Sequence, residues 1–280
     1  MDAISLNNVS KAYKSFTLDD ITLKLPKGCV MGLLGENGAG KTTLLNIILG
    51  NVFVDSGFVS LLGENRVRKF SEIRQKIGVV PDDIGLPDGF KVKHIRDIMS
   101  KIFNEWDNEM FDSFVERFKI PDKTRFKDYS LGMKKKLGIA IALSHNAELL
   151  ILDEATSGLD PIVRDDFLDI IYDFTRDENH SVLFSSHIVS DLERLSDYIA
   201  IMHKGKLLLC EEKDLLLDKY CLIKCSEVEM QTIPAEAVIG KKISPYGVQA
   251  VVERSALRSG FDSSTVTLED LFVYMLKEGI

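Results

Sequence analysis

The sequence predicts an α/β fold with a mixed, mostly parallel β-sheet at its centre. Several short apolar runs have the length and composition of strands that are buried on both faces. Longer segments with apolar residues at helical spacing lie between these runs, and such alternation of strands with helices is typical of parallel sheets. The predicted strands occupy residues 30–34, 77–80, 149–152, 182–185 and 198–202.

The composition is that of a packed globular protein. Of its 280 residues, 45% are hydrophobic and 28% are charged, which is close to the average for folded domains. The formal net charge is -8 at pH 7. This acidic balance argues against a nucleic-acid-binding protein, which usually carries a basic patch that matches the phosphate backbone.

Cysteine spacing and hydropathy indicate the cellular compartment in which the protein is expected to occur. The 4 cysteines form no CxxC pair and no His/Cys metal-ligand spacing, so we expect free thiols in a reducing compartment and no structural zinc site. The N-terminus has no signal-peptide pattern, and no run approaches the roughly 18 apolar residues that span a bilayer. We therefore expect a soluble, cytoplasmic chain, which leaves room for a membrane-bound partner.

Two segments depart from the alternation of strands and helices. Residues 84–145 have helical periodicity without a convincing strand, and we interpret them as an α-helical subdomain inserted into a sheet domain at 1–219. The pattern changes again after that domain, and we predict a small C-terminal α+β extension at 220–280. Strand-like pieces at residues 222–225, 248–252 and 265–267 and an amphipathic helix at 268–277 make up this extension.

A glycine-rich stretch, GENGAGKT, follows the first predicted strand and precedes a helical run at residues 43–49. It matches the pattern G-x-x-x-x-G-K-[ST] of a phosphate-binding loop in the strand and helix context that the pattern requires. Glycines let such a loop wrap so that backbone N–H groups and a helix N-terminus face an anion. The stretch predicts a P-loop NTPase core, in which Lys41 reaches the β- and γ-phosphates and Thr42 binds Mg²⁺. The predicted nucleotide-binding residues of the loop are Gly35, Asn37, Gly38, Gly40, Lys41, Thr42 and Thr43.

Two carboxylates at the end of the third predicted strand supply the second half of such a site. Asp153 and Glu154 follow the apolar run directly. In phosphoryl transfer, one carboxylate commonly holds Mg²⁺ and another polarises the attacking water. We therefore predict Asp153 as a metal ligand and Glu154 as the catalytic base.

Three further motifs extend the pattern. The stretch SGLD at residues 157–160 follows the two carboxylates, His187 follows the fourth predicted strand, and Tyr13 lies near the N-terminus. In order and in strand context these motifs resemble those of the ATP-binding-cassette (ABC) ATPases, over roughly the first 210 residues. The resemblance implies that Asp160 belongs to the family's D-loop, that His187 is its catalytic switch histidine, and that Tyr13 stacks on the adenine of ATP.

The stretch YSLGM stands where ABC ATPases carry their signature, usually LSGGQ. Ser130 and Gly132 match the signature, whereas Tyr129, Leu131 and Met133 depart from it. The resemblance implies that two subunits close head to tail and that the signature of one subunit binds the ATP held by the other. A hydroxyl and backbone N–H groups at a helix start suit this contact with an anion. Of the lysines that follow, Lys134, Lys135 and Lys136, we interpret at least two as a solvated face.

Asp82 is a second departure from the family pattern. It follows the strand at 77–80, where ABC ATPases usually place a glutamine that senses Mg²⁺ and water. An aspartate at this position still suits a metal ion, and we count it among the metal and nucleotide ligands. It also adds negative charge beside the triphosphate, which predicts weaker nucleotide binding and a steeper Mg²⁺ requirement.

The resemblance implies an ATPase subunit of a transporter, with ATP and Mg²⁺ as cofactors. Its expected partners are an integral membrane permease, docked near residues 83–106, and a second ATPase subunit in a homo- or heterodimer. The segment after Asp83 and the final helix resemble those of exporter ATPases (ABC-2 type) from Gram-positive bacteria. We therefore expect export of a peptide, antimicrobial, toxin or drug by a chain that is peripheral to the cell membrane. Two alternatives stay open at this point: a soluble ABC ATPase that acts on nucleic acid or ribosomes, and an importer ATPase with a regulatory C-terminal domain.

Overall fold

The computed structural model describes residues 1–245, 247–258 and 260–277. The chain forms two compact units, Met1–Leu209 and Cys210–Ile280. Within the described ranges, no helix combines the length and the apolar character that a membrane crossing needs.

Strands and helices alternate along much of the first unit. Its strands are β1 (Asp2–Ala12), β2 (Thr17–Pro26), β3 (Val30–Gly35), β4 (Ser56–Leu61), β5 (Glu64–Asn65), β6 (Ile77–Val80), β7 (Leu149–Asp153), β8 (Ser181–Ser186), β9 (Tyr198–His203) and β10 (Lys206–Glu212), the last of which runs into the second unit. Its helices are α1 (Lys41–Ile48), α2 (Arg66–Arg74), α3 (Val92–Ile102), α4 (Asn108–Arg117), α5 (Leu131–Leu143), α6 (Pro161–Phe174) and α7 (Val189–Leu195).

A six-stranded sheet in the order β10-β9-β3-β8-β7-β6 forms the centre of this unit. β3 pairs in parallel with β8 and β9, and β7 pairs in parallel with β6 and β8. Every residue of β3, β7 and β8 is buried, which explains why each of these strands contains a run of apolar residues. Parallel strands end at the same edge of a sheet, so the segments that follow Gly35, Val80, Asp153 and Ser186 meet there.

A second sheet, in the order β2-β1-β4-β5, contains strands that the sequence analysis does not predict. β1 pairs antiparallel with β2 and with β4. The register of β1 against β2 shifts between Leu6 and Val9, and Asn8 has a φ of 49°. A bulge of this kind breaks the alternation of buried and exposed side chains that identifies a strand with one solvated face.

Between β6 and β7 the described chain contains helices and no strand. The segment comprises α3, α4, a 3₁₀ turn at Phe126–Asp128, and α5. Asp107 caps α4 by accepting a hydrogen bond from the Met110 N–H at 2.9 Å. Phe111 of α4 is buried, and its ring centroid lies 5.1 Å from that of Trp106. This arrangement supports our proposal of a helical subdomain at 84–145.

The second unit contains a sheet in the order β12-β13-β11-β14 with helices beside it. Its elements are α8 (Lys213–Lys219), β11 (Tyr220–Cys225), α9 (Glu227–Met230), β12 (Val238–Ser244), β13 (Gly247–Glu253), β14 (Asp262–Thr265) and α10 (Leu268–Lys277), with 3₁₀ turns at Ala235–Ala237 and Arg254–Ala256. The domain boundary that we predict after residue 219 coincides with the end of α8, and the assignment of 1–219 and 220–280 to two domains stays a proposal.

The strand predicted at residues 265–267 is wrong in its position. The structure ends β14 at Thr265, and Thr267 instead caps α10. The N–H of Asp270 donates to the Thr267 hydroxyl at 3.0 Å, and the N–H of Thr267 donates to the Asp270 carboxylate at 3.1 Å. A side chain with a hydroxyl three residues ahead of a carboxylate forms a reciprocal helix cap, which overrides the strand preference of threonine.

Candidate active site

The glycine-rich loop between β3 and α1 has the backbone of an anion-binding loop. Gly38 and Gly40 have φ angles of 84° and 109°, in the left-handed region that favours glycine. A Cβ atom on Gly40 would lie 2.8 Å from Cζ of Phe16, so the close approach also excludes a side chain. Gly40 occupies the N-cap of α1 without a side-chain cap. The first N–H groups of α1 are therefore oriented toward an incoming anion.

Lys41 is buried at the first position of α1, with 6% of its surface exposed. Its Nζ donates a hydrogen bond to the carbonyl oxygen of Gly35 at 2.6 Å and lies 3.4 Å from Oε1 of Glu154. The ammonium group is thus held inside the loop, between the phosphate-binding backbone and a carboxylate. A cation in this place is suited to bind the terminal phosphates of a nucleotide.

Thr42 of α1 and Asp153 at the end of β7 bring two side-chain oxygen atoms together. The Thr42 hydroxyl donates to Oδ2 of Asp153 at 3.3 Å, and the Ser185 hydroxyl donates to Oδ1 at 2.9 Å. Burial raises the pKa of Asp153, and the two hydrogen bonds oppose this effect. The charges of Glu154 and Asp82 add to the increase in the pKa of Asp153. The site therefore has an excess of negative charge that a cation would offset.

The residues fit a Mg²⁺ ion that also binds a phosphate. Within the described chain, no group of three or more His, Cys, Asp or Glu side chains is arranged to hold a metal alone. Magnesium usually binds one or two protein carboxylates and takes its other ligands from water and substrate phosphates. Thr42 and Asp153 match that requirement.

Replacing Asp153 by asparagine separates the stability of the site from its activity. The raised pKa means that the ionised carboxylate destabilises the folded chain at neutral pH in the absence of metal. We expect Asp153→Asn to leave the melting temperature of the metal-free chain unchanged or higher, while nucleotide hydrolysis falls by about a hundredfold or more. Thermal unfolding with and without Mg²⁺, together with a phosphate-release assay, checks both effects. A lower melting temperature without metal would contradict this account.

Glu154 adopts a strained backbone at the end of β7, with a φ of 48°. Its Oε2 lies 2.6 Å from Nδ1 of His187. Its Oε1 is buried and has no hydrogen-bond partner among the described residues, although the Lys41 ammonium lies 3.4 Å away. The carboxylate is thus oriented from both sides, by the Lys41 ammonium and by the His187 imidazole.

One pocket of about 740 Å³ brings many of the predicted residues together. The residues that line it are Tyr13, Ser15, Phe16, Glu36, Asn37, Gly38, Gly40, Lys41, Thr42, Thr43, Asp82 and Glu154. Tyr13 is 46% exposed and presents a ring for stacking. The predictions from sequence do not include Ser15, Phe16 and Glu36. These residues could have been found only because they lie close in the sequence to Tyr13 or to the glycine-rich loop.

The signature-like segment lies apart from this pocket. Ser130 and Gly132 are not among the described residues that line it. Ser130 caps α5, where its hydroxyl accepts a hydrogen bond from the Met133 N–H at 3.2 Å, and it is exposed. Tyr129, a departure from the signature, is buried, and its hydroxyl donates to the carbonyl of Pro121 at 2.8 Å. Ser130 at the start of α5 is therefore exposed, while the preceding residue, Tyr129, is fixed by burial and by its hydrogen bond.

The D-loop segment also lies outside the pocket. The Asp160 carboxylate caps α6 by accepting a hydrogen bond from the Val163 N–H at 3.1 Å. Asp191 is fully buried and holds the segment in place, because the Thr156 hydroxyl donates to it at 2.6 Å and Nε of Arg164 donates at 2.7 Å. This charged support is absent from our sequence predictions, since no motif marks it.

The three lysines of α5 have different environments. Nζ of Lys134 lies 4.9 Å from the Phe126 ring centroid, and Nζ of Lys136 lies 5.7 Å from the Phe118 ring centroid. Both lysines are partly exposed. Lys135 is only 1% exposed, so it is not part of a solvated face. The sequence gives one indication of this burial, which is that most of the other residues of α5 are apolar.

Comparisons with known proteins agree with this geometry. The model of the ABC transporter family matches residues 18–157. The chain is 36% identical over 208 residues to the bacitracin transport ATP-binding protein BcrA of Bacillus licheniformis, which covers 73% of this chain and 68% of the relative. It is 35% identical over 214 residues to the lantibiotic transport ATP-binding protein SrtF of Streptococcus pyogenes, which covers 75% of this chain and 91% of the relative.

Two solved structures share the fold. The ATP-binding subunit of an ABC transporter has a TM-score of 0.69 at 22% identity, over 76% of this chain and 90% of that chain. An ATP-binding cassette in a dimeric post-hydrolysis state, bound to ADP and Pi, has a TM-score of 0.68 at 19% identity, over 75% of this chain and 98% of that chain. These matches confirm the predicted α/β fold class.

Proposed function

Because this chain belongs to the ABC transporter family, we propose that it is the ATP-hydrolysing subunit of an exporter for peptide antimicrobials. One observation carries the catalytic part of the proposal. The Glu154 carboxylate lies between Lys41 and His187 at the edge of a pocket that the phosphate-binding loop lines. A base, a cation for phosphate and an orienting imidazole in one place are the components that ATP hydrolysis requires.

Each residue has a defined role in this mechanism. The N–H groups of the glycine-rich loop and Lys41 bind the phosphates, while Tyr13 stacks on the adenine. Thr42 and Asp153 would hold Mg²⁺, which would neutralise charge on the phosphates. Glu154 accepts a proton from the attacking water, and His187 orients the Glu154 carboxylate through the 2.6 Å contact.

A second subunit completes the site. The signature segment lies outside the pocket of its own chain, with Ser130 exposed at the start of α5. The N–H groups and dipole of this helix start are suited to bind the terminal phosphate held by another chain. We therefore place Ser130 and Gly132 on the partner's ATP, and Asp160 at the interface between the two subunits.

A groove of about 620 Å³ on the first unit is suited to dock the permease. Ile102, at the end of α3, is 51% exposed although it is apolar. We assign the groove to a short cytoplasmic helix of the permease, because an apolar groove of this size accommodates the apolar face of one helix. The residues that line it are Leu49, Asn51, Phe70, Ser71, Arg74, Gln75, Ile77, Val79, Ile102 and Phe103.

Purification of the tagged chain from solubilised membranes tests the partnership. We expect an integral membrane protein with several apolar spans to co-purify, and we expect Ile102→Glu to lose that protein while ATP binding is retained. Leu215→Glu is the matched control, because Leu215 is a similarly exposed apolar residue (62%) that does not line the groove. Recovery of ribosomes or nucleic acid in place of a membrane protein would support the soluble ABC ATPase instead.

The named relatives support a peptide as the cargo. Their names record bacitracin transport and lantibiotic transport, and both cargoes are antimicrobial peptides. We expect deletion of the chain to sensitise its host to such peptides, as measured by growth in bacitracin and in a lantibiotic. Unchanged sensitivity to both would contradict this cargo while leaving the ATPase assignment intact.

A further inference from the structure

Lys135 of α5 places a charged group in the interior of the first unit, within hydrogen-bonding distance of Glu154, the residue that follows β7. Its side chain is 1% exposed. Its Nζ donates to the carbonyl oxygen of Asp82 at 2.6 Å, to that of Glu154 at 3.2 Å, and to Oδ1 of Asp82 at 3.1 Å. An ammonium group has three protons, so these acceptors satisfy it. The carbonyl of Pro81 lies at the limit of hydrogen bonding, 3.5 Å away.

The contact with Glu154 bears on a strained residue. Glu154 has a φ of 48°, a conformation that costs free energy for a residue with a side chain and persists only when its surroundings enforce it. Three hydrogen bonds hold the backbone of Glu154 in place. Its N–H donates to the carbonyl of Ser185 at 3.0 Å, and its carbonyl accepts from the Ser157 N–H at 3.1 Å and from the Lys135 ammonium at 3.2 Å.

We propose that Lys135 is a positioning residue that holds the backbone of Glu154, and so directs its carboxylate toward the attacking water. The inference rests on the proposed role of Glu154 as the catalytic base. Lys135 does not line the nucleotide pocket, so it acts on hydrolysis through Glu154 and not by touching ATP. It also connects α5, which begins at the signature segment, to the strand end that carries the base.

The carbonyl oxygens contribute more to this function than the carboxylate of Asp82. The Asp82 side chain is 67% exposed, and an ion pair with an exposed partner contributes little because water screens it. Removal of Lys135 would instead leave the Glu154 carbonyl with only the Ser157 N–H as a donor and would take the 2.6 Å hydrogen bond from the Asp82 carbonyl. Hydrogen bonds from a charged donor contribute more than neutral ones, so both backbone segments would be held less firmly.

The test compares Lys135→Met with Lys136→Met in the full-length chain. Both changes remove one ammonium group from the same turn of α5, but Lys136 lies over the Phe118 ring and contacts neither Glu154 nor Asp82. We expect Lys135→Met to lower kcat for ATP hydrolysis by about tenfold or more, with KM and the Kd for ATP within about twofold of wild type. We expect Lys136→Met to keep kcat within about threefold.

A purely structural role for Lys135 would lower the melting temperature and leave kcat per folded molecule unchanged, and that result would overturn the proposal. A rise in KM at constant kcat would overturn it as well. If Lys135→Met is not recovered folded, Lys135→Leu is judged by the same criteria, since leucine also lacks a hydrogen-bond donor. The proposed function has separate controls: it fails if the wild-type chain does not hydrolyse ATP or if Glu154→Gln hydrolyses it normally, whatever Lys135 does.

Discussion

Replacing Glu154 by glutamine is expected to stop ATP hydrolysis and to trap a dimer with ATP between its subunits. The amide cannot accept the proton of the attacking water, and loss of a general base typically costs 10²–10⁴-fold in rate, roughly. Binding is expected to survive, because the phosphate-binding loop and Lys41 are unchanged. Removal of the negative charge beside Lys41, at 3.4 Å, also frees that ammonium group for the phosphates. Size-exclusion chromatography with light scattering, in the presence of ATP and Mg²⁺, measures the oligomeric state.

The matched control for this prediction is Glu148→Gln. Glu148 lies just before β7 and pairs with Lys76 at the surface, so the change removes a carboxylate near the same strand without entering the pocket. We expect this variant to hydrolyse ATP at the wild-type rate and to remain monomeric after turnover. Recovery of Glu154→Gln only as a monomer in ATP would argue against the sandwich of two subunits.

Replacing Ser130 by phenylalanine is expected to abolish hydrolysis while ATP binding to the monomer is retained. Ser130 is exposed at the N-cap of α5 and does not line the pocket of its own chain. A bulky ring at this position would prevent the helix start from approaching a phosphate on the partner subunit. Loss of such phosphate contacts typically costs about a hundredfold or more in rate. Fluorescent nucleotide binding and a phosphate-release assay on the same preparation measure both effects.

The change also removes the cap that Ser130 provides to the Met133 N–H, which costs about 1 kcal/mol of stability. Ser130→Thr separates the two effects, because threonine keeps the capping hydroxyl and remains small. We expect the threonine variant to retain hydrolysis. Weakened ATP binding by monomeric Ser130→Phe would show that the segment acts within its own chain and would contradict the two-subunit assignment.

The central sheet is predictable because its strands are buried on both faces. The strand predicted at residues 77–80 is β6, and the strand predicted at 149–152 lacks only the last residue of β7. The second sheet is not predicted, because the bulge at Asn8 in β1 breaks the alternation that would have marked that strand. Local pattern thus identifies strands whose environment is uniform along their length, and it misses strands whose register shifts.

Within the proposed site, the glycine-rich loop is predictable from the sequence, and the residues that support the site are not. The glycine-rich loop is recognisable because close approach of backbone to an anion restricts residue types at fixed spacing. The supporting positions are not restricted in residue type in this way, because any side chain that reaches the same atom could form the same hydrogen bond. These positions are Ser185, Lys135 and Asp191. Their roles depend on distances between segments far apart in the sequence.

The sequence by itself determined the family and the α/β core, and it led to the proposed chemistry of the nucleotide site, because spacing along the chain specifies how a loop wraps around phosphate. Only the tertiary structure decided where charge is buried. It placed the ammonium group of Lys135 against the carbonyls of Asp82 and Glu154. Lys135 is 53 positions from Asp82 and 19 positions from Glu154 in the sequence. The tertiary structure also placed His187 against Glu154 across 33 positions. The physical reason is that burial and hydrogen-bond pairing depend on how strands and helices pack, which no local pattern contains.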